Sequence, residues 1–169
     1  EKWINERLSS TSRLSSPNMA VQIKNILSPG RVIFVNQSSK HDALVELASN
    51  LSKAPQVKIE RELETEIIKR EELMSTAIGR GIAIPHVRLS SVTDLVMSVG
   101  ICKPAITDFE PIDDVPVSLI FMIAAAYNQH SYYLQTLSYL SAKLKSTDLR
   151  NALMNAQTET DAYNLLIAE

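Results

Sequence analysis

Apolar positions recur along the chain with two periods, and the alternation between them predicts its elements. Val32-Ile33-Phe34-Val35, just after Pro29-Gly30, is β-branched and aromatic and predicts a strand. Beyond Ser38-Ser39, which offers a cap, Ala43, Leu44, Leu47, Ala48 and Leu51 share one face at helical spacing. Glu60 to Leu73 keeps helical spacing under a heavy load of charge and predicts a second helix, its charged face solvated. The short apolar run Ile82-Ala83-Ile84 ends at Pro85. Leu95 to Ile101 and Val115 to Ala125 read as strands. Lys103 to Asp114 between them, with Pro104, Pro111 and Asp113-Asp114, reads as a loop. Leu134, Leu137, Leu140 and Leu144 mark a helix over 131–144. A short helix follows over 149–156, and Thr158-Glu159-Thr160-Asp161 caps a last one through Ile167.

Helices at both ends with strands between them predict a single α/β domain with α+β-like layering: a mixed central sheet flanked by helices on both sides. Residues 1–18 break the pattern. Trp3, Ile4 and Leu8 share a helical face, but Ser9-Ser10-Thr11-Ser12 and Ser15-Ser16-Pro17-Asn18 offer little apolar surface to offset the entropy of ordering. A linker or tail from an upstream segment is expected over 1–18, and the domain over 19–169. A first residue that is Glu and not Met fits an upstream domain.

Composition narrows the function classes. The chain has 169 residues, 45% hydrophobic and 21% charged, with a formal net charge of −2, so no basic excess points to nucleic acid or to an acidic membrane surface. Cys102 is the one cysteine, so no internal disulfide forms, which fits a reducing, cytoplasmic compartment. Apolar runs such as Ile120 to Ala126 are too short to insert in a bilayer. No His, Cys and carboxylate cluster has metal-ligand spacing, and neither a metal nor another cofactor is expected.

The chemistry concentrates between Arg70 and His86. Gly79 and Gly81 let backbone N–H groups approach an anion closely. Ser75 and Thr76 add hydroxyl donors, and Arg70 a planar charged fork suited to phosphate. Pro85 stops the ladder after a stiff apolar run and fixes the backbone just before His86. An imidazole at the end of a stiff strand beside anion-binding groups can act as a nucleophile. The same pieces also describe a tight turn leading to a strand that ends at a surface histidine. No third glycine makes a dinucleotide fingerprint, and no Gly-Lys-Ser/Thr makes a nucleotide-binding loop.

The run Arg70-Glu71, the Ser75-Thr76 turn, Gly79-Arg80-Gly81 and Ile82-Ala83-Ile84-Pro85-His86 closely resembles the signature of the enzyme IIA family of the sugar phosphotransferase system, of the mannitol/fructose and nitrogen-regulatory class. Ile26-Leu27-Ser28-Pro29 resembles the family's opening, and Ile123-Ala124-Ala125 followed by His130 the stretch that supplies its second active-site histidine. Two positions depart from the family's habit: Ala77 where Gly is common, and Ser131 where an apolar residue usually follows the histidine. The resemblance covers about Met19 to the end.

The resemblance implies that His86 accepts a phosphoryl group from the histidine-containing phosphocarrier protein and passes it to a IIB domain. It also implies an alternative: a regulatory domain attached to or controlling a transporter or transcription regulator, signalling by its phosphorylation state. His130 is then the partner that bonds phosphoryl oxygens, against the reading of a capping or surface histidine. Arg70 either neutralises phosphate or pairs with a neighbouring glutamate. Ser75 and Thr76 either donate to phosphate, with Gly79 and Gly81 beside them, or cap a turn. His41 is expected on a solvated face and Cys102 as a small buried hydrophobe. Tyr127, Tyr132, Tyr133 and Tyr139 either pack the core and its rim or line a partner surface.

Overall fold

The computed structural model describes residues 21–168, and the tail expected over 1–18 lies outside them. Its helices are α1 (Ile23–Ile26), α2 (Lys40–Leu51), α3 (Glu60–Leu73), α4 (His130–Lys143), α5 (Thr147–Asn155) and α6 (Glu159–Ile167). Its strands are β1 (Val32–Val35), β2 (Ala77–Gly79), β3 (Ile82–Ala83), β4 (His86–Arg88), β5 (Val96–Ile106) and β6 (Val117–Ala125). All six join one sheet in the order β1-β5-β6-β3-β2, with β4 also on β6. The sheet is mixed: β1 runs parallel to β5, β5 antiparallel to β6, and β3 and β4 parallel to β6.

Both faces of the sheet are buried, and β6 shows how. Leu119, Phe121, Ile123 and Ala125 pack with α1, α4, α5 and α6 on one face. Ile120, Met122 and Ala124 pack with α2 and α3 on the other. A period of two therefore divides one unbroken apolar strand between two cores. The helices close with side-chain caps where the sequence offers them: Ser39 accepts from the Asp42 amide, Ser146 from Leu149 and Thr158 from Asp161.

Two expectations are corrected. Pro85 does not end the strand line. Ile82 pairs with Leu119 and Ala83 with Ile120, and then His86 pairs with Ile123 in the same register. Ile84 turns its amide to Thr76 of the neighbouring turn, while the Pro85 carbonyl accepts from the Ile123 amide, so a residue without a donor sits in line as an acceptor only. The segment from Lys103 is not wholly loop either: β5 continues to Ile106, which pairs with Val117 beyond a register shift that leaves residues 103–105 exposed.

Candidate phosphoryl site at the edge of the sheet

β4 places alternate side chains on opposite faces. Val87 goes into the core under α2 and α3, while His86 and Arg88 lie on the face towards α4. Because β2 and β3 stop short of this level, β4 borders a pocket of about 590 Å³ between α3 and α4. Its α3 wall carries Glu62, Glu66 and Arg70, which recur every fourth residue on one helical stripe. Its α4 wall is Tyr133, Leu134 and Leu137, and Leu73 and Tyr127 stand exposed at the rim.

His86 is 6% exposed and sits in the pocket wall. Its Nδ1 lies 2.6 Å from the Ile84 carbonyl oxygen. A carbonyl oxygen only accepts, so in the neutral ring Nδ1 carries the proton and Nε2 carries the lone pair. The ring packs at 5.4 Å, tilted by 52°, on Tyr133. One ring nitrogen is thus committed to the backbone and the other is the basic one.

Arg70 joins His86 on the pocket wall and donates from Nη1 to the Met74 carbonyl at 3.0 Å, at the C-terminal end of α3. His130 is the exposed first residue of α4. It lies three and four residues before Tyr133 and Leu134, on the helical face that they carry to the pocket, but it is not itself among the wall residues.

None of the four predicted phosphate donors is among the pocket-wall residues, and the two hydroxyl residues donate to other acceptors. Thr76 is fully buried; its amide and its hydroxyl, the latter at 2.6 Å, donate to the carboxylate of Glu71, itself 4% exposed and 3.6 Å from the Lys40 ammonium. The Ser75 hydroxyl donates to the Phe109 carbonyl and accepts from the Ala77 amide. Gly79, Arg80 and Gly81 all have positive φ, as the two-residue link between β2 and β3 demands. There the Arg80 amide donates to the Asp113 carboxylate at 2.7 Å, and a Cβ on Gly79 would lie 3.2 Å from the same carboxylate. Both segments are anion cradles, as their chemistry predicts, but the anions are the chain's own Glu71 and Asp113. The Arg80 amide, foremost, holds the Asp113 carboxyl below the usual carboxylate range.

Two wall residues went unassigned in the sequence. Arg88 had no role there, and Tyr133 was one of a group of tyrosines. The signal for Arg88 was available: in a His-x-Arg strand both side chains face the same way.

His41 is exposed and Cys102 fully buried, as expected. Among the described residues no group of three or more His, Cys, Asp or Glu side chains could hold a metal ion, and no helix is long and apolar enough to cross a membrane.

A family model described as "Phosphoenolpyruvate-dependent sugar phosphotransferase system, EIIA 2" matches residues 25–169. The chain is 34% identical over 132 residues to the "PTS system fructose-specific EIIABC component" of Bacillus subtilis (strain 168); the match covers 78% of this chain and 21% of that protein, so the chain spans about a fifth of that relative's length. It is 31% identical over 149 residues to a "Nitrogen regulatory protein" of Pseudomonas aeruginosa, covering 87% of this chain and 96% of the relative. Its fold is similar to that of the crystal structure of nitrogen regulatory protein IIA-Ntr from Neisseria meningitidis, with a TM-score of 0.78 at 26% identity over 85% of this chain and 98% of that one.

Proposed function

The chain belongs to the EIIA 2 family of the phosphoenolpyruvate-dependent sugar phosphotransferase system, and from that premise we propose that His86 is its phosphoryl-accepting residue. The observation that carries the reading is the bond between Nδ1 and the Ile84 carbonyl, which leaves Nε2 as the basic nitrogen of a ring in the pocket wall. The Nε2 lone pair attacks phosphorus of a phosphohistidine on the phosphocarrier protein. A new N–P bond forms as the donor's N–P bond breaks, and the donor imidazole keeps the electron pair. Transfer onward reverses the step, with a nucleophile of a IIB domain as acceptor. Such a relay needs alignment and charge stabilisation more than covalent machinery. Arg70 and His130 supply the charge and the hydrogen bonds to the phosphoryl oxygens.

A second reading shares this step and differs in the recipient. The chain covers nearly the whole length of the Pseudomonas aeruginosa nitrogen regulatory protein but a fifth of the fructose component. The likeness to nitrogen regulatory proteins supports, beside the sugar-uptake reading, a domain whose phosphorylation state is read by a transporter or regulator.

The test is to incubate the domain with phosphoenolpyruvate, enzyme I and the phosphocarrier and to look for acid-labile label. Labelling of the wild-type chain, its loss in His86→Ala and its reduction in His130→Ala are the expected results. Full labelling of His86→Ala would overturn the assignment. Passage of the label to a IIB domain, or its retention in the presence of one, separates the two recipients.

A further inference from the structure

We infer that Arg88 is a phosphoryl-binding cation of this site, set on the same face of β4 as His86 and steered by the Tyr133 ring that both side chains touch. The inference rests on His86 being the acceptor and adds the residue that meets the charge it acquires.

Three observations carry it. First, residues two apart on a strand stand on one face, about 6.6 Å apart along the chain, so the guanidinium of Arg88 and the imidazole of His86 enter the pocket side by side. Second, the two groups share one support. The Tyr133 centroid lies 5.4 Å from the His86 ring centroid and 5.8 Å from Cζ of Arg88. An arginine that rests its face on an aromatic ring keeps its N–H groups in the plane, free to point at an oxyanion. Third, that charge is not neutralised in place. Arg88 belongs neither to the ion pair of Lys40 with Glu71 nor to that of Lys69 with Glu66. It makes a long hydrogen bond, 3.4 Å from Nη1 to the Tyr127 carbonyl. Most of its fork therefore has no acceptor among the described residues.

The wall opposite holds Glu62 and Glu66, whose charge opposes a phosphoryl dianion. Arg70, across the pocket on α3, already donates to the Met74 carbonyl. A second arginine beside the acceptor ring offsets the carboxylates where the new charge develops. Both N–P bond formation and the lifetime of the product depend on it.

The experiment uses phosphoramidate as a donor besides the phosphocarrier. The His86 Nε2 lone pair attacks the phosphorus of phosphoramidate protonated on nitrogen, the P–N bond breaks, and ammonia leaves with the bonding electron pair. Label incorporation and the decay of phosphohistidine are followed in the wild-type chain, in Arg88→Met, which keeps the stem over Tyr133 and removes the charge, and in Arg88→Lys. The thermal midpoint of each is measured alongside. Arg88→Met is expected to label at least about tenfold more slowly from both donors, to lose its phosphoryl group faster, and to unfold at the wild-type temperature. Arg88→Lys, which restores the charge without the fork, should recover part of the rate. Wild-type labelling and decay in Arg88→Met would overturn the role of Arg88 while leaving His86 as acceptor. Absence of label on the wild-type chain from either donor would overturn the reading of His86 and this inference with it.

Discussion

The Nδ1 atom of His86 and the carbonyl oxygen of Ile84 are 2.6 Å apart, bridging the proline that separates two stretches of one strand line. Pro85 keeps the line paired with β6 as an acceptor only, and the Ile84 carbonyl accepts from the side chain of His86. The sequence Ile-Pro-His thereby sets the ring's tautomer. Nitrogen-15 spectra of histidine-labelled protein should show that His86, when neutral, carries its proton on Nδ1, and that the phosphorylated form is substituted on Nε2. A neutral ring protonated on Nε2 would contradict the geometry.

Thr76 and Glu71 yield a second prediction, which separates a structural role from a catalytic one. The Thr76 hydroxyl is one of the donors to a carboxylate buried at the end of α3. Thr76→Val keeps the shape and the amide but leaves a charged oxygen short of a partner, which costs about 1–3 kcal/mol. Denaturant unfolding should report that loss, with labelling of the folded fraction unchanged. Unchanged stability with lost labelling would return Thr76 to the phosphoryl group.

The same two residues show what was legible in the sequence. Long periodic segments were: α2, α3, α4 and α6 fall where helical spacing and caps place them, and β1 matches its predicted span. The donor chemistry between Arg70 and Gly81 was legible as anion-binding. Which anion it binds was not, because Glu71 lies five residues before Thr76 while Asp113 meets Arg80 from 33 residues away. Only the fold brings the second pair together. Short elements were missed for a related reason. β2 and β4 are three residues each, held by pairing with β3 and β6 and not by any period of their own. Arg88 becomes a site residue only through β4, whose pleat sets it on the face of His86.

Asp113 supports a prediction about pH. Its carboxyl, exposed but bonded first to the Arg80 amide and then to that of Val115, titrates lower in the folded chain than in the unfolded one. A depressed carboxyl contributes stability above its unfolded value, about 3.9, and that contribution is lost as pH falls through the folded value. Asp113→Asn should therefore unfold at a lower temperature than the wild-type chain at pH 7, and the gap should close on acidification below the carboxylate range. A gap that stays constant from pH 7 to pH 3 would show that the carboxylate charge has no part in holding the β2–β3 link.

Cys102 makes the opposite prediction, at the alkaline end. Burial, with the charge of Glu46 adding to it, pushes its thiol up to about 12, while an unfolded cysteine titrates near 8.5. The folded chain therefore binds the thiol proton more tightly. That contribution is complete below the unfolded value and is lost as pH rises through the folded one. Cys102→Ala removes the titration but leaves a small cavity beside β1 and α2, costing about 1 kcal/mol at neutral pH. Denaturant midpoints of the two chains should converge as pH rises from 8 towards 11, and the native wild-type thiol should resist alkylation until the chain unfolds. Midpoints that stay parallel across that range, or rapid alkylation without unfolding, would mean that the thiolate is tolerated in the folded chain and that the side chain is less enclosed than its complete burial indicates.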